Sequence, residues 1–418
     1  MYRGSQLFTD RITLNMFLVS IVVLFSAFFM PVTDTLASKL RLKDGANLPE
    51  TNMNVTQIIR YHGYPAEEYT VQTEDGYLIY IQRIPAGRKQ VKQDFRSGPK
   101  PVVFLQHGLL CASSNWVANL PNQSFAFILA DAGFDVWLGN VRGNTYGLRH
   151  IKYPVHSDEF WDFSWDEMAR FDLPAMLKFV TTKTSQASLY YIAHSQGTTI
   201  AFAEFSRNGE VAKMVKKFFA LAPVTTVGNM KSPLRYLSDF IPLAQELFRL
   251  FGVRDFLPSD FIIHLLAEYV CSEKDFDSFC SDILFVIAGF DKKQLNETRL
   301  PVYFSHTPAG TSVRDMIHFA QMVNSNKFQM YDYESTSANM KHYGQPTPPV
   351  YNVTAMTVPV AVYWAQNDWL ADPTDVKALL PKLSSKLYDR YIPNWDHLDF
   401  IWGMDAATKV YKDIIKNI

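Results

Sequence analysis

The run Leu189-Tyr190-Tyr191-Ile192-Ala193-His194-Ser195-Gln196-Gly197, followed by a helix-compatible stretch over 198–207, constrains the fold of this chain more than any other segment. An apolar strand runs into a serine, and a helix leaves it. Where a strand passes that sharply into a helix the two backbones nearly collide, so the residues two before and two after the serine have to be small. The same strained turn lifts the hydroxyl above the sheet. Glycine is usual at the first small position; Ala193 departs from that and still meets the steric requirement.

The surrounding pattern agrees with such a turn. Short apolar runs recur at 102–105, 135–138, 189–192, 218–221 and 358–364, with helical stretches between them. Strands alternating with helices predict a mainly parallel sheet covered on its faces by the helices. Ahead of these, residues 68–84 alternate apolar and polar about Asp75-Gly76, the pattern of a hairpin. The alternation stops after Pro223. From about 225 to 350 the pattern is mostly helical, with Phe240, Leu243, Leu247, Leu250 and Phe251 spaced three and four apart, and a Pro- and Thr-rich return over 344–359 leads to the next strand. The expected organisation is a core built from 52–224 and 351–418, interrupted by a helical cap at 225–350.

The N-terminus stands apart from this core. Residues 16–30 (MFLVSIVVLFSAFFM) are almost wholly apolar, follow Arg3 and Arg11, and lead through Pro31 to Thr35-Leu36-Ala37. A run of about 15 residues is short of the roughly 20 needed to cross a bilayer, which favours a cleaved signal peptide over 1–37 above a retained anchor. The mature chain is then expected to have no membrane span. Four N-x-Ser/Thr triplets, at Asn54, Asn122, Asn296 and Asn352, fit glycosylation along the secretory pathway. With 40 Lys+Arg against 41 Asp+Glu and no basic run interleaved with aromatics, nucleic acid is excluded as a partner on electrostatic grounds. A hydrophobic share of 48% with 19% charged excludes disorder and a multi-span membrane protein.

A serine hydroxyl needs a base, and the base needs an anion to fix its tautomer. On a sheet of this kind the acid and the base follow the serine in that order. Asp368 follows the 358–364 strand in Ala365-Gln366-Asn367-Asp368, and His397 follows the strand-like run 387–392 in Trp395-Asp396-His397-Leu398-Asp399-Phe400. Asp372, Asp396 and Asp399 compete for the acid, from positions the strand order favours less. An oxyanion needs two backbone N–H groups: one from Gln196, after the serine, and one from Leu109, in the turn Gln106-His107-Gly108-Leu109-Leu110 after an earlier strand. His107 precedes the serine in sequence and is expected to shape that turn. No metal constellation or glycine-rich phosphate loop is present in the sequence, and no cofactor is expected.

These motifs carry a resemblance. Gly63-Tyr64-Pro65, Asp75-Gly76-Tyr77, Arg83-Ile84-Pro85, the His-Gly-Leu-Leu turn, residues 139–144 (Gly-Asn-Val-Arg-Gly-Asn), Ala193-His194-Ser195-Gln196-Gly197 and His397-Leu398-Asp399-Phe400 resemble the gastric and lysosomal acid lipases from about Asn54 to the C-terminus. The resemblance implies an α/β-hydrolase fold with an inserted helical cap carrying a lid, a Ser-Asp-His triad, and activity on acylglycerols or steryl esters at acid pH. Three cysteines leave one thiol over in an oxidising compartment. Cys271 and Cys280, eight residues between them, are the expected pair, and their spacing resembles a cap disulfide of that family. Cys111, in an apolar setting, is expected to be a buried inert thiol.

The leading expectation is a serine hydrolase in the secretory pathway, extracellular or lysosomal, that cleaves neutral lipid esters at a lipid–water interface through an acyl-enzyme on Ser195. A second apolar stripe begins at Phe261-Ile262 and Leu265-Leu266, and 257–288 is expected to form the lid. Two rivals remain. A general carboxylesterase would prefer soluble short esters, and a catalytically silent hydrolase-fold lipid carrier would not label with a serine-reactive phosphonate.

Overall fold

The computed structural model describes residues 48–91, 99–240, 255–256, 287–289 and 291–418. The leader at 1–37, both cap stripes beyond Phe240, Cys271 and Cys280, and nearly all of the 257–288 lid lie outside the described residues.

Among the strands the hairpin comes first, as β1 (Glu67–Gln72) and β2 (Tyr77–Ile84), paired antiparallel from Glu67 opposite Arg83 to Gln72 opposite Leu78. Its turn is closed by the Gly76 amide donating to the Thr73 carbonyl at 3.1 Å, and Gly76 has φ +105°, a conformation side-chain-bearing residues rarely take. Then follow β3 (Val102–Gln106), β4 (Asp135–Leu138), β5 (Leu189–His194), β6 (Val215–Leu221), β7 (Val360–Ala365) and β8 (Lys386–Ile392). Among the described residues they form a nine-stranded sheet in the order β1-β2-β4-β3-β5-β6-β7-β8, with the two-residue strand Arg149–His150 paired to β2. Every pair from β4 across to β8 is parallel. This is the mostly parallel α/β sheet that the alternation predicts.

The apolar runs are continuous because both faces are covered: β3, β4 and β7 have every residue buried. The covering helices include α1 (Phe125–Asp131), α2 (Leu173–Thr184), which starts with a proline in its first turn and stops at Ser185 in the left-handed region, and α3 (Gln196–Phe205), every residue of which is buried. Apolar spacing locates the strands but not two π-helical turns, Met168–Asp172 and Ala407–Tyr411, nor the small ladder of Asp255–Phe256 with Thr311–Ser312.

Between β6 and β7 the described part of the insertion holds the helices Leu300–His306, α4 (Val313–Ser325) and Thr336–Tyr343. It is fastened to segments outside the sheet by buried polar and aromatic contacts. His318 of α4 stacks on Trp165 at 4.2 Å, and the Arg299 guanidinium donates to Glu50 at 2.9 Å and to the Ala118 carbonyl at 2.7 Å. After β7 the chain enters α5 (Pro373–Leu379), whose N-cap is Asp372. No helix among the described residues is long and apolar enough to cross a membrane.

Candidate active site

The carboxyl ends of four of the parallel strands deliver the candidate residues to one edge of the sheet, where open α/β sheets bind their ligands. β3 ends at Gln106 before His107-Gly108-Leu109, β5 ends at His194 before Ser195, β7 leads to Asp368 and β8 to His397.

Ser195 sits in the turn at φ 55°, ψ −124°, between a strand and the first residue of α3. The conformation is strained for a side-chain-bearing residue and is held by its neighbours. The Ser195 amide donates to the Leu221 carbonyl at 3.1 Å, and its carbonyl accepts from the Thr198 hydroxyl at 2.6 Å. A Cβ on Gly197 would lie 2.6 Å from the His107 carbonyl oxygen and 2.8 Å from that of Gln106, so the second small position is a requirement of backbone against backbone. At the first, Ala193 is fully buried between Gln106 of β3 and Ala220 of β6, and a methyl fits.

His397 is 3% exposed, and its Nδ1 donates to both oxygens of Asp368, at 3.0 and 2.9 Å. Asp368 is 1% exposed and also accepts the amides of Leu370 at 2.9 Å and Ala371 at 2.7 Å on Oδ1. With Nδ1 committed as donor, Nε2 is the basic nitrogen of the ring. The His397 loop is tied to the serine turn through His194, whose Nε2 donates to the His397 carbonyl at 2.9 Å and whose ring lies 4.6 Å from that of His397. Burial, then the nearby His397 charge, hold His194 neutral, well below the usual histidine range. The base therefore has a carboxylate on one side and no second cation on the other.

The competing aspartates have other work. Asp372 caps α5 by accepting the Thr374 amide at 2.7 Å and pairs with Lys231 at 2.9 Å. Asp396 and Asp399 accept each other's backbone amides, at 3.3 and 2.7 Å, and Asp396 also accepts that of Leu398 at 2.8 Å. They shape the turn that carries His397. Burial pushes both carboxyls up, helped by the Asp368 charge at Asp396 and by the Asp396 charge at Asp399.

The turn after β3 passes directly against the serine: a Cβ on Gly108 would fall 2.8 Å from Ser195 Cβ and 3.3 Å from its Oγ. Neither the Leu109 nor the Gln196 backbone N–H donates to another described residue. His107 shapes the turn. Asn144 accepts the Tyr146 amide on its side-chain oxygen at 2.9 Å, so its nitrogen is the end 3.1 Å from His107 Nε2; that ring nitrogen accepts, and Nδ1 donates to the Gly108 carbonyl at 2.8 Å. Burial pushes His107 down to about 4, which keeps this tautomer uncharged. Asn140 continues the network, accepting from the Ser113 amide at 2.9 Å and from Asn144 at 3.0 Å. The insertion joins it, with the Ala309 amide donating to the Leu110 carbonyl at 2.7 Å.

Motif reading quotes His194 and Asn144 without giving either a role, and it misses Asp315, which accepts from the Gln196 side chain at 3.0 Å. Asp372 is different, because an aspartate immediately before Pro373 is the signature of a helix N-cap and could have been set aside on that ground. Cys111 is buried and unpaired, and burial pushes its thiol up to about 12. Of the glycosylation candidates, Asn54, Asn122 and Asn352 are exposed and Asn296 is half-buried.

Comparison with known proteins bears on the family and the fold. A family model described as a partial α/β-hydrolase lipase region matches residues 55–120, and one for the α/β hydrolase fold matches 101–404. The chain is 54% identical over 371 residues to gastric triacylglycerol lipase of Homo sapiens, covering 88% of this chain and 92% of that protein. It is 50% identical over 368 residues to the human lysosomal acid lipase/cholesteryl ester hydrolase, covering 88% and 91%, and 50% identical over 375 residues to human lipase member K, covering 89% and 92%. The solved structure of a lipase-like protein from Sulfolobus solfataricus, 14% identical, superposes with a TM-score of 0.53 over 84% of this chain and 93% of that one, a likeness of fold alone. The chain accordingly belongs to the α/β-hydrolase lipases, in the family that includes the gastric and lysosomal acid lipases.

Proposed function

We propose that this chain is a secreted or lysosomal lipase that hydrolyses carboxylic esters of neutral lipids, triacylglycerols or steryl esters, through an acyl-enzyme on Ser195. The observation that carries this reading is the buried His397 held by both oxygens of Asp368, on a loop bonded to the residue preceding Ser195. Ser195 Oγ attacks the ester carbonyl carbon while His397 Nε2 takes its proton. Asp368 keeps the other ring nitrogen protonated and stabilises the imidazolium that forms. The charge gathering on the carbonyl oxygen is received by the Leu109 and Gln196 amides. Collapse breaks the bond to the alcohol, which leaves with the proton from His397, and the acyl group stays on Ser195. Water then gives a proton to His397 and attacks the acyl carbon; the fatty acid departs and Ser195 regains its proton. The names of the relatives support glyceryl and cholesteryl esters as the substrate class, and the apolar leader with its sequons supports the secretory pathway.

Ser195→Ala is expected to lose up to about six orders of magnitude in turnover with the wild-type melting temperature. Residual activity within tenfold of wild type would sink the assignment. Emulsified triacylglycerol, cholesteryl ester and short p-nitrophenyl esters, compared across pH, test the substrate class. A preference for the soluble short esters would replace a lipase with a general carboxylesterase.

A further inference from the structure

Besides its backbone amide, Gln196 has a side chain that is buried and aimed. The residue is 3% exposed, its Nε2 lies 3.2 Å from Met168 Sδ, and it donates to Asp315 Oδ2 at 3.0 Å across 119 residues of sequence. Asp315 comes from the insertion, in the first turn of α4, and is fully buried. Its Oδ1 accepts the Trp165 amide at 2.9 Å, its Oδ2 also meets the Thr311 hydroxyl at 2.8 Å, and its own amide donates to the N-cap Ser312 hydroxyl at 3.0 Å. Among the described residues Asp315 has no Lys or Arg partner; its neighbour Arg314 turns instead to Asp162 at 2.6 Å.

A buried carboxyl without a cation is costly, and packing alone would be served better by an apolar residue. What Asp315 provides that an apolar residue cannot is a fixed acceptor for the side chain of the residue after the nucleophile. Burial pushes its carboxyl up to about 7, with Glu167 on the neighbouring helix the charge that adds to the effect; His318, on the same helix, is itself held neutral by burial. Both protonation states keep the Gln196 contact, because the Thr311 hydroxyl can donate to a carboxylate or accept from the acid.

We propose that Asp315 is a positioning residue for the reaction: by holding the Gln196 side chain it sets the peptide plane whose N–H receives the oxyanion. The inserted segment thereby completes the oxyanion site from outside the core. This rests on the reading of Ser195 as nucleophile and Gln196 as an oxyanion donor.

The test is a double-mutant cycle of Asp315→Asn and Gln196→Ala, with Ser195→Ala alongside. It reads kcat and KM on a short soluble p-nitrophenyl ester, the rate of inactivation by a phosphonate, and the melting temperature. Complete loss of one oxyanion donor costs about 10²–10³ in kcat, so misaiming one should cost roughly tenfold to a hundredfold. Both partners of the Asp315 oxygens are donors, so Asp315→Asn sets an NH2 group against either Gln196 Nε2 or the Trp165 amide and displaces the side chain that holds Gln196, and Gln196→Ala removes the same contact from the other side. Each single variant is expected to lower kcat and phosphonylation together by that factor with KM within about twofold. The double variant should be no slower than the slower single, since both act through one contact. Multiplying effects, or an Asp315→Asn protein that melts lower but turns over normally once folded, would make Asp315 a structural residue and overturn the proposal. If Asp315→Asn yields no folded protein, Gln196→Ala decides alone, and an unchanged kcat overturns it. An active Ser195→Ala enzyme would instead refute the underlying reading of the site.

Discussion

Arg142 is the clearest place to test how the site's support is held together. It is 1% exposed and forks between two carboxylates: Nη1 and Nη2 reach Asp75 at 2.6 and 2.9 Å, while Nε and Nη2 reach Asp172 at 2.8 and 2.7 Å. Its amide also donates to Asp172 at 2.9 Å, and the guanidinium lies 4.0 Å from the centre of the Tyr77 ring. Arg142→Met leaves Asp172, which is fully buried, with that single amide; breaking a buried pair from one side costs about 3–5 kcal/mol. Asp75 is partly exposed and recovers water. In a protein of this size the loss corresponds to a fall in melting temperature of about 4–6 °C.

The pH dependence gives the argument a sign. Burial lifts the Asp172 carboxyl to about 6 even beside the guanidinium, and without the cation it moves higher still. A carboxyl whose folded pKa is raised costs stability as pH climbs through that value. The gap between wild type and Arg142→Met should therefore widen from pH 5 to pH 8. Arg142→Lys, a point charge in place of a fork, should fall between the two. Thermal melts at both pH values measure this, and a variant within about a degree of wild type at pH 8, or a gap that narrows with pH, refutes the reasoning.

Asp368→Asn should keep the fold and lower kcat by about 10⁴ on any ester, because the amide favours the wrong tautomer of His397; stopped assays on a soluble ester measure it, and a loss under tenfold would return the role to another carboxylate. His107→Gln should change how stability depends on acid. A histidine held at about 4 gives stability that is present above its unfolded value near 6.5 and lost as pH falls toward 4, roughly 3 kcal/mol over the window, so the variant's deficit measured at pH 7 should shrink by about that much at pH 4. Removing 257–286 is expected to spare hydrolysis of a short soluble ester and abolish attack on long-chain emulsions, with proportional loss of both refuting a lid. The deletion has to keep Ala288, whose carbonyl accepts the amides of Trp369 at 3.1 Å and His397 at 3.5 Å.

The parts of the fold legible in the sequence are those fixed by local sterics or by burial on both faces. The small residue after Ser195 answers to backbone oxygens that a Cβ on Gly197 would meet at 2.6 and 2.8 Å, so the turn announces itself. The central strands are buried throughout and read as unbroken apolar runs. By contrast, the Asn144–His107 contact spans 37 residues and the Gln196–Asp315 contact 119, and nothing near either residue marks a buried polar partner. Arg142 illustrates the limit: its segment carries a family resemblance, while its link to Asp172, 30 residues on, is purely tertiary. Polar residues chosen to satisfy one another at a distance leave no period to detect.

Those distant contacts also bear on how the insertion relates to the candidate site. An ornament on the sheet would touch the core through apolar packing and could be trimmed. Among the described residues three of its contacts reach the candidate site, and each holds a different candidate group. The Ala309 amide bonds the Leu110 carbonyl behind the Leu109 turn, Asp315 bonds Gln196, and the Ala288 carbonyl bridges the loops carrying Asp368 and His397. A backbone hydrogen bond of this kind contributes only about 1 kcal/mol to stability. Its weight at the site comes from geometry, because donors and bases held to within about half an ångström are what separate a fast hydrolase from a slow one. The insertion therefore belongs to the same functional unit as the strands beneath it.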